Sequence, residues 1–343
     1  MSQENIGIYS GWGIEKKSRN FGDLLCHIGL LELLKESGFT AVDLRNSINP
    51  ITYPWQGPLI IGGGTVLPTI FENWVGPGLK SANPIIVYGS GVLSPDELER
   101  KNIHNFDKTP YQQISVAGVR GPLSAQHYKE YFGQSVEFVG DLAFYFTDII
   151  VPECTENKTS FFVIETALTS SRLFGSLHLI LQMYSDIAQL PISIDSKPTL
   201  YITDHNSISI NCSENVTNNP SMYISTLEMF ISSVASAQVV VSERLHPTIL
   251  ASILGIPFIY FQTTSKSKDL ELLLRSQCDD DHFLDLMFID MSQDIDLAKI
   301  CENYQILLTD KTIKMQLIQI SRNIKKMLID GSVEVKDILE NYL

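Results

Sequence analysis

QVVVSERLHPTILASILGIPFIYF, residues 238–261, is apolar except around one turn. QVVV reads as a buried strand, residues 247–254 as a buried helix, and PFIYF (257–261) as the next strand. Strand, helix and strand in so short a span form the repeating unit of parallel α/β sheets. The turn before the helix carries Glu243, Arg244 and His246, and Pro247 suits a first helical turn. Arg244 and His246 are therefore expected to crown a helix N-terminus, where the dipole favours anions. Arginine offers a planar fork to a carboxylate or phosphate. Histidine exchanges a proton near neutral pH. A lone histidine on an apolar face is usually a satisfied core residue. Glu, Arg and His clustered at one strand–helix turn favour a functional reading.

The same alternation runs through the chain. NIGIY (5–9) leads to GDLLCHIGLLELLKESG (22–38), with Leu24, Ile28 and Leu31 on one face and a stop at Gly38. GPLIIGGG (57–64) leads to a second helical stretch, and NPIIVYGSG (83–91), ISVAGVRG (114–121) and VEFVGD (136–141) read as further strands. Their apolar runs are continuous, as in a parallel sheet covered on both faces. The polar, proline-containing VPECTENKTS (151–160) reads as a linker. A second series follows: FFVIE (161–165), a helix near 172–188, TLYITD (199–204), a helix over 222–236, the opening stretch, and LMFIDM (286–291). Ile313, Leu317, Ile320, Ile324 and Leu328 form one stripe of a last helix over 310–329.

A chain of 343 residues exceeds what one core usually serves. The expected fold is α/β, with two Rossmann-like domains whose parallel sheets face a cleft. The expected domains are 1–152 and 153–343, with the last helix a candidate to pack back on the N-terminal domain. Ligands in open α/β sheets bind at the C-terminal ends of the strands.

Net charge is −14, which argues against nucleic-acid binding. An anionic substrate would need a local basic pocket. Between Thr155 and Ser265 the only Lys and Arg residues are Lys158, Arg172, Lys197 and Arg244. Five scattered cysteines without a CxxC read as reduced, structural thiols, and no metal-ligand spacing is evident. Three sequons, at Asn157, Asn211 and Asn215, mark only Asn-rich loops. MSQENIGIYSGWG has neither a charged n-region nor a long apolar run, so no signal peptide is expected. The apolar run Ile249–Phe261 is too short to span a bilayer. The protein is expected in the cytoplasm. Lys311, Lys314, Arg322, Lys325 and Lys326 on the last helix read as a solvated face before they read as a peripheral contact with the inner membrane.

Polar residues follow several strands. Asn20 and Asp23 flank Gly22 at the first helix, where capping and ligand contact compete. Gly63 and Gly64 allow close backbone approach, although neither a Walker loop nor GxGxxG is present. Arg120 precedes Gly121-Pro122, so it is expected at a strand end facing a helix start. Asp141 closes the next strand as a base, an orienter of Arg120 or a cap. Lys266 and Lys268 bring positive charge to a loop after PFIYF.

Taken in order, these segments resemble the polysaccharide pyruvyltransferase family. NFGD (20–23), GGG (62–64), VRGPLS (119–124), VGDLA (139–143), SERLHPTILASILGIPFI (242–259) and SKSKDL (265–270) carry the resemblance. It implies a fold similar to glycosyltransferase-B enzymes and transfer of the pyruvyl group of phosphoenolpyruvate to two sugar hydroxyls, giving a ketal and phosphate. It implies that Arg120, Arg244 and His246 bind phosphoenolpyruvate, with no cofactor beyond that donor. Two guanidiniums suit a ligand that carries a carboxylate and a phosphate close together. His246 is the candidate acid for the enol methylene and Asp141 a candidate base for a sugar hydroxyl. Arg120, Arg244 and Lys266 would stabilise the departing phosphate. Glu243 departs from the small or apolar residue expected there and could repel an anionic donor. The partners implied are phosphoenolpyruvate and a sugar acceptor of cell-surface polysaccharide synthesis.

Three rivals share parts of this pattern. A sialyltransferase-like glycosyltransferase would use His246-Pro247 to hold a nucleotide-sugar phosphate. A carbohydrate-binding protein would need no acid. An oxidoreductase would want the missing dinucleotide fingerprint.

Overall fold

A computed structural model describes residues 6–10, 21–44, 55–69, 82–103, 106, 108–150, 159–165, 179–180, 182–183, 186, 199–203, 222–223 and 227–342. Asn20, the stretch 70–81, the linker at 151–158, most of the helix near 172–188 and the three sequon asparagines lie outside these residues. The chain divides into two units. One holds Met1–Glu15, Gly22–Tyr145 and Asn323–Leu343, the other Lys16–Phe21 and Phe146–Arg322.

In the first unit the strands are β1 (Ile6–Ser10), β2 (Ala41–Asp43), β3 (Leu59–Gly62), β4 (Thr65–Leu67), β5 (Ile85–Val92) and β6 (Ile114–Val119). All pairings are parallel, in the order β2-β1-β3-β5-β4, with β6 also on β5. β3 and β5 are buried along their whole length, which explains their uninterrupted apolar runs. The strand order reverses between β1 and β3, and crevices for ligands open at such reversals. GPLIIGGG yields two strands rather than one, because Gly63 and Gly64 both take left-handed backbone (φ 70° and 65°) between β3 and β4. VEFVGD is not a full strand. Only Phe138 bridges to Val119 before the backbone turns at Gly140 (φ 104°) into a tight 3-10 turn over Leu142–Phe146.

The helices of this unit begin with α1 (Phe21–Glu36) and α2 (Pro95–Arg100). α2 starts with a reciprocal cap in which Ser94 and Glu97 satisfy each other's backbone N–H. α3 (Pro122–Phe132) has Gly121 as N-cap and ends at a left-handed Gly133.

The second unit holds β7 (Thr159–Glu165), β8 (Thr199–Thr203), β9 (Met222–Tyr223), β10 (Ala237–Ser242), β11 (Phe258–Gln262) and β12 (Phe288–Asp290). They pair in parallel in the order β12-β11-β10-β7-β8-β9, reversing between β7 and β10. Its helices are α4 (Leu227–Ala235), α5 (Leu245–Ile253), α6 (Ser265–Arg275), α7 (Leu297–Thr309) and the start of α8 (Thr312–Tyr342). Three boundaries differ from the expectation. The helix over 222–236 begins only at Leu227, because Met222 and Tyr223 pair with β8 as a strand. α5 begins at Leu245, two residues before Pro247, and Pro247 falls in its first turn, where a missing N–H is tolerated. Lys266 and Lys268 stand on the first turn of α6, not in a loop.

α8 runs beyond residue 329 to Tyr342. Ile313, Leu317 and Ile320 are buried in the second unit, and Ile324, Leu328, Val335 and Leu339 in the first. The Tyr88 hydroxyl donates to the Leu328 carbonyl. At Gly331 a Cβ would stand 2.7 Å from Val139 Cγ1 and 3.0 Å from the Tyr88 hydroxyl, so the helix lies too close for any side chain there. Among the described residues no helix is long and apolar enough to cross a membrane.

Candidate active-site residues

In the first unit, Arg120 follows β6 directly and is 4% exposed. Its backbone N–H donates to the Ser90 carbonyl on β5 at 3.0 Å. Its Nη1 donates to Thr65 Oγ1 at 3.4 Å. The guanidinium lies against Gly91, where a Cβ would be 2.6 Å from Nη2 and 2.8 Å from Cζ. A side chain at residue 91 would therefore have to displace the guanidinium. Gly121 and Pro122 follow at the N-cap and first turn of α3, so a buried arginine immediately precedes a helix N-terminus in the chain. Both features favour an anion.

Asp141 lies one residue past Gly140 and is 1% exposed. Its Oδ1 accepts from the Ala143 N–H at 3.0 Å and from the Cys26 thiol at 3.1 Å. α1 comes close enough to make that second bond because Gly29, one turn after Cys26, has no side chain. A Cβ there would be 2.5 Å from the Leu142 carbonyl. Burial, then the charges of Asp141 and Asp23, push the Cys26 thiol well above its ordinary pKa, with Arg120 opposing. Cys26 is thus a protonated donor. Asp23 is half-buried in the first turn of α1, inside the helix rather than at its N-cap. Gly63 is buried and accepts at its carbonyl from Ser90 Oγ at 3.2 Å. Half-buried Gly64 accepts from the Gly91 N–H at 2.8 Å. Arg120 and Gly63-Gly64 thus follow the C-terminal ends of β6 and β3, Asp141 follows the single bridge at Phe138, and Asp23 stands on the first turn of the helix after β1.

In the second unit, Arg244 is the N-cap of α5, in extended backbone (φ −107°, ψ 144°), and is half-buried. Ser242 Oγ accepts from the Arg244 N–H at 2.8 Å, and Thr248 Oγ1 donates to the Arg244 carbonyl at 2.9 Å. These two buried hydroxyls clamp the turn from both sides. His246 is half-buried on the first turn of α5, two residues beyond Arg244. Glu243 is buried. Lys266 is half-buried on the first turn of α6, after β11, which neighbours β10 in register. Lys268 is committed elsewhere: its ammonium sits 2.7 Å from Glu271. Glu271 also binds Gln262 at 2.8 Å and Arg275 at 2.9 Å, and Arg275 reaches Asp281 and Asp285.

Sequence reasoning missed Thr65, Gly91, Ser242, Thr248 and the pairing of Cys26 with Asp141. A signal exists for two of these. A hydroxyl two residues before and another four residues after Arg244 are spaced to cap it from both sides.

The sequence matches the family described as Polysaccharide pyruvyl transferase over residues 20–265. The chain belongs to the polysaccharide pyruvyl transferase family. The matched span contains the family-like motifs from Asn20 through His246, and Lys266 lies one residue beyond its end. No curated protein sequence matches the chain. Among solved structures, it is similar to S. aureus MnaA in a co-structure with UDP (TM-score 0.52, 10% identity, 92% of this chain and 90% of that one). It is also similar to a glycosyltransferase from Rickettsia africae ESF-5 (TM-score 0.50, 11% identity, 99% and 100%). A third is CalG4, the calicheamicin glycosyltransferase (TM-score 0.50, 13% identity, 99% of each chain). At such identities the likeness concerns the fold, which is α/β with two Rossmann-like parallel sheets and glycosyltransferase-B-like. A pyruvyl transferase family member thus carries its motifs on a fold shared with glycosyltransferases.

Proposed function

We propose that this protein moves the pyruvyl group of phosphoenolpyruvate onto two hydroxyls of a sugar in cell-surface polysaccharide synthesis, forming a ketal and releasing phosphate. The observation that carries this reading is Arg120. In a chain of net charge −14, an arginine is buried just after a strand end, in the residue that precedes the N-cap of a helix. Such a group recognises a compact anion. Arg244, held at the N-cap of α5, supplies a second fork for a donor that carries both a carboxylate and a phosphate. Lys266 adds positive charge toward the phosphate. No cofactor beyond the donor is required.

The chemistry follows from these groups. Protonated His246 gives a proton to the enol methylene, which becomes the methyl group. The first sugar hydroxyl adds to the resulting cationic C2 and yields its proton to Asp141. The C2–O bond to phosphate then breaks with its electron pair going to the phosphate, whose charge Arg120 and Arg244 stabilise. The second hydroxyl adds to C2, closing the ketal, and the phosphate takes up that last proton. Asp23 on the first turn of α1 and Gly63 and Gly64 after β3 are candidate contacts for the acceptor, with Asn20 in the same motif as Asp23. The reaction is proposed for the cytoplasm, at the inner membrane face where the acceptor is lipid-linked.

Calorimetry with phosphoenolpyruvate tests this. Wild type should bind it, and Arg244→Ala should lose about 10- to 100-fold in affinity, as when a charge-assisted pair is removed. Binding of a nucleotide-sugar without phosphoenolpyruvate would overturn the reading in favour of a glycosyltransferase.

A further inference from the structure

The carboxylate of Asp141 is used unevenly. Both hydrogen bonds, from the Cys26 thiol and the Ala143 N–H, go to Oδ1. Oδ2 is equally buried and has no hydrogen-bond partner among the described residues. A buried carboxylate oxygen left in that state is unfavourable and calls for an explanation. Cys26 itself is 0% exposed, on the α1 face that meets Gly63, where a Cβ would stand 2.6 Å from Cys26 Cβ. Cys26 thus packs directly against the strand-end turn, and the missing side chain of Gly63 leaves the room for it. Held protonated as described above, it acts as a donor and not as a nucleophile.

We propose that Cys26 is a positioning residue: together with the Ala143 N–H it saturates Oδ1 of Asp141 and so presents Oδ2 to a hydroxyl of the sugar acceptor. The acceptor's O–H bond breaks, the proton goes to Oδ2, and the freed oxygen pair forms the bond to the donor carbon. This rests on the pyruvyl-transfer reading for the identity of that carbon. The need for a base at the acceptor hydroxyl is common to sugar transfer, so the two can fail separately.

The test compares full-length wild type, Cys26→Ser and Cys26→Ala. The probe acceptors are 4-nitrophenyl glycosides of galactose, glucose, mannose and N-acetylglucosamine, with phosphoenolpyruvate or UDP-glucose as donor. Thermal unfolding is recorded for every variant. Cys26→Ala should lower kcat about tenfold or more, part of the 10²–10⁴ that a placed base supplies. Its KM for the acceptor and its affinity for the donor should stay within about twofold. Cys26→Ser, which restores a donor, should keep at least about a third of wild-type kcat. If Cys26→Ala does not fold, Cys26→Val fills the volume without a donor and takes its place. The proposal is overturned if the donor-less variant keeps half of wild-type kcat, if Cys26→Ser loses as much as Cys26→Ala, or if the loss lies in donor affinity. Transfer from UDP-glucose but not from phosphoenolpyruvate overturns the pyruvyl reading and leaves the Cys26 comparison to be read on sugar transfer. Transfer from neither donor overturns both.

Discussion

Gly91 and Arg120 fit one another: the guanidinium occupies the space that a methyl group at residue 91 would fill, with Nη2 2.6 Å from that position. Gly91→Ala should therefore act on the ligand more than on the fold. Arg120 is the end of a flexible side chain and can shift, so destabilisation should stay near 1 kcal/mol, the low end for overpacking. Affinity for phosphoenolpyruvate should fall about tenfold or more as the charge-assisted contacts are lost. Calorimetry beside thermal unfolding separates the two effects. Unchanged affinity would mean that Arg120 does not hold the donor.

Ser242 fixes Arg244 through its backbone, so its removal should be felt at the N-cap. Ser242→Ala deletes the acceptor of the Arg244 N–H and should cost about 1 kcal/mol of stability. Donor affinity should fall with it, because the cap residue is then no longer held in extended backbone. Equilibrium unfolding and the same calorimetric titration check this. A stability loss with full affinity would sever the link between the cap and the ligand.

Gly331 reverses the usual helix rule. Gly→Ala in a helix interior ordinarily stabilises by about 1 kcal/mol. Here the added Cβ meets Val139 and the Tyr88 hydroxyl, so Gly331→Ala should destabilise by about 1–3 kcal/mol. Denaturant unfolding gives the sign directly.

Alkaline sensitivity should come from buried hydroxyls and thiols. Burial first, then Asp330 and Glu334, raise the Tyr88 phenol far above its ordinary value of 10.0. A raised folded value means that this stabilisation is complete below about pH 10. It is lost as pH rises further, at about 1.4 kcal/mol per pH unit for each such group. Buried Tyr304 behaves likewise, and Cys26 begins the decline from about pH 9. Unfolding free energies at about pH 8, 9.5 and 10.5 should fall progressively. Tyr88→Phe should be about 1 kcal/mol less stable near neutrality, for the lost bond to Leu328, yet less steep in alkali. An unchanged slope in that variant would show that Tyr88 does not contribute.

The parallel sheets were legible because strands covered on both faces appear in sequence as unbroken apolar runs, as in β3, β5 and β10. Arg120 was legible because Pro122 fixes where its helix starts. The start of α5 was not, since Arg244 caps it through extended backbone and lacks the side-chain bond that Ser, Thr, Asp or Asn would advertise. Cys26 and Asp141 are 115 residues apart, and no local pattern encodes their hydrogen bond. Gly91 carries no local signal, because its constraint is the side chain of Arg120, distant in sequence.

The first unit draws its core from both ends of the chain. Ile324, Leu328, Val335 and Leu339 belong to it although they are translated after the whole second unit. A ribosome that has released only the first 152 residues has therefore made a sheet whose Tyr88 hydroxyl still lacks the Leu328 carbonyl. Any attempt to express that half by itself, or to trim the C-terminus for crystallisation, removes a piece of its interior.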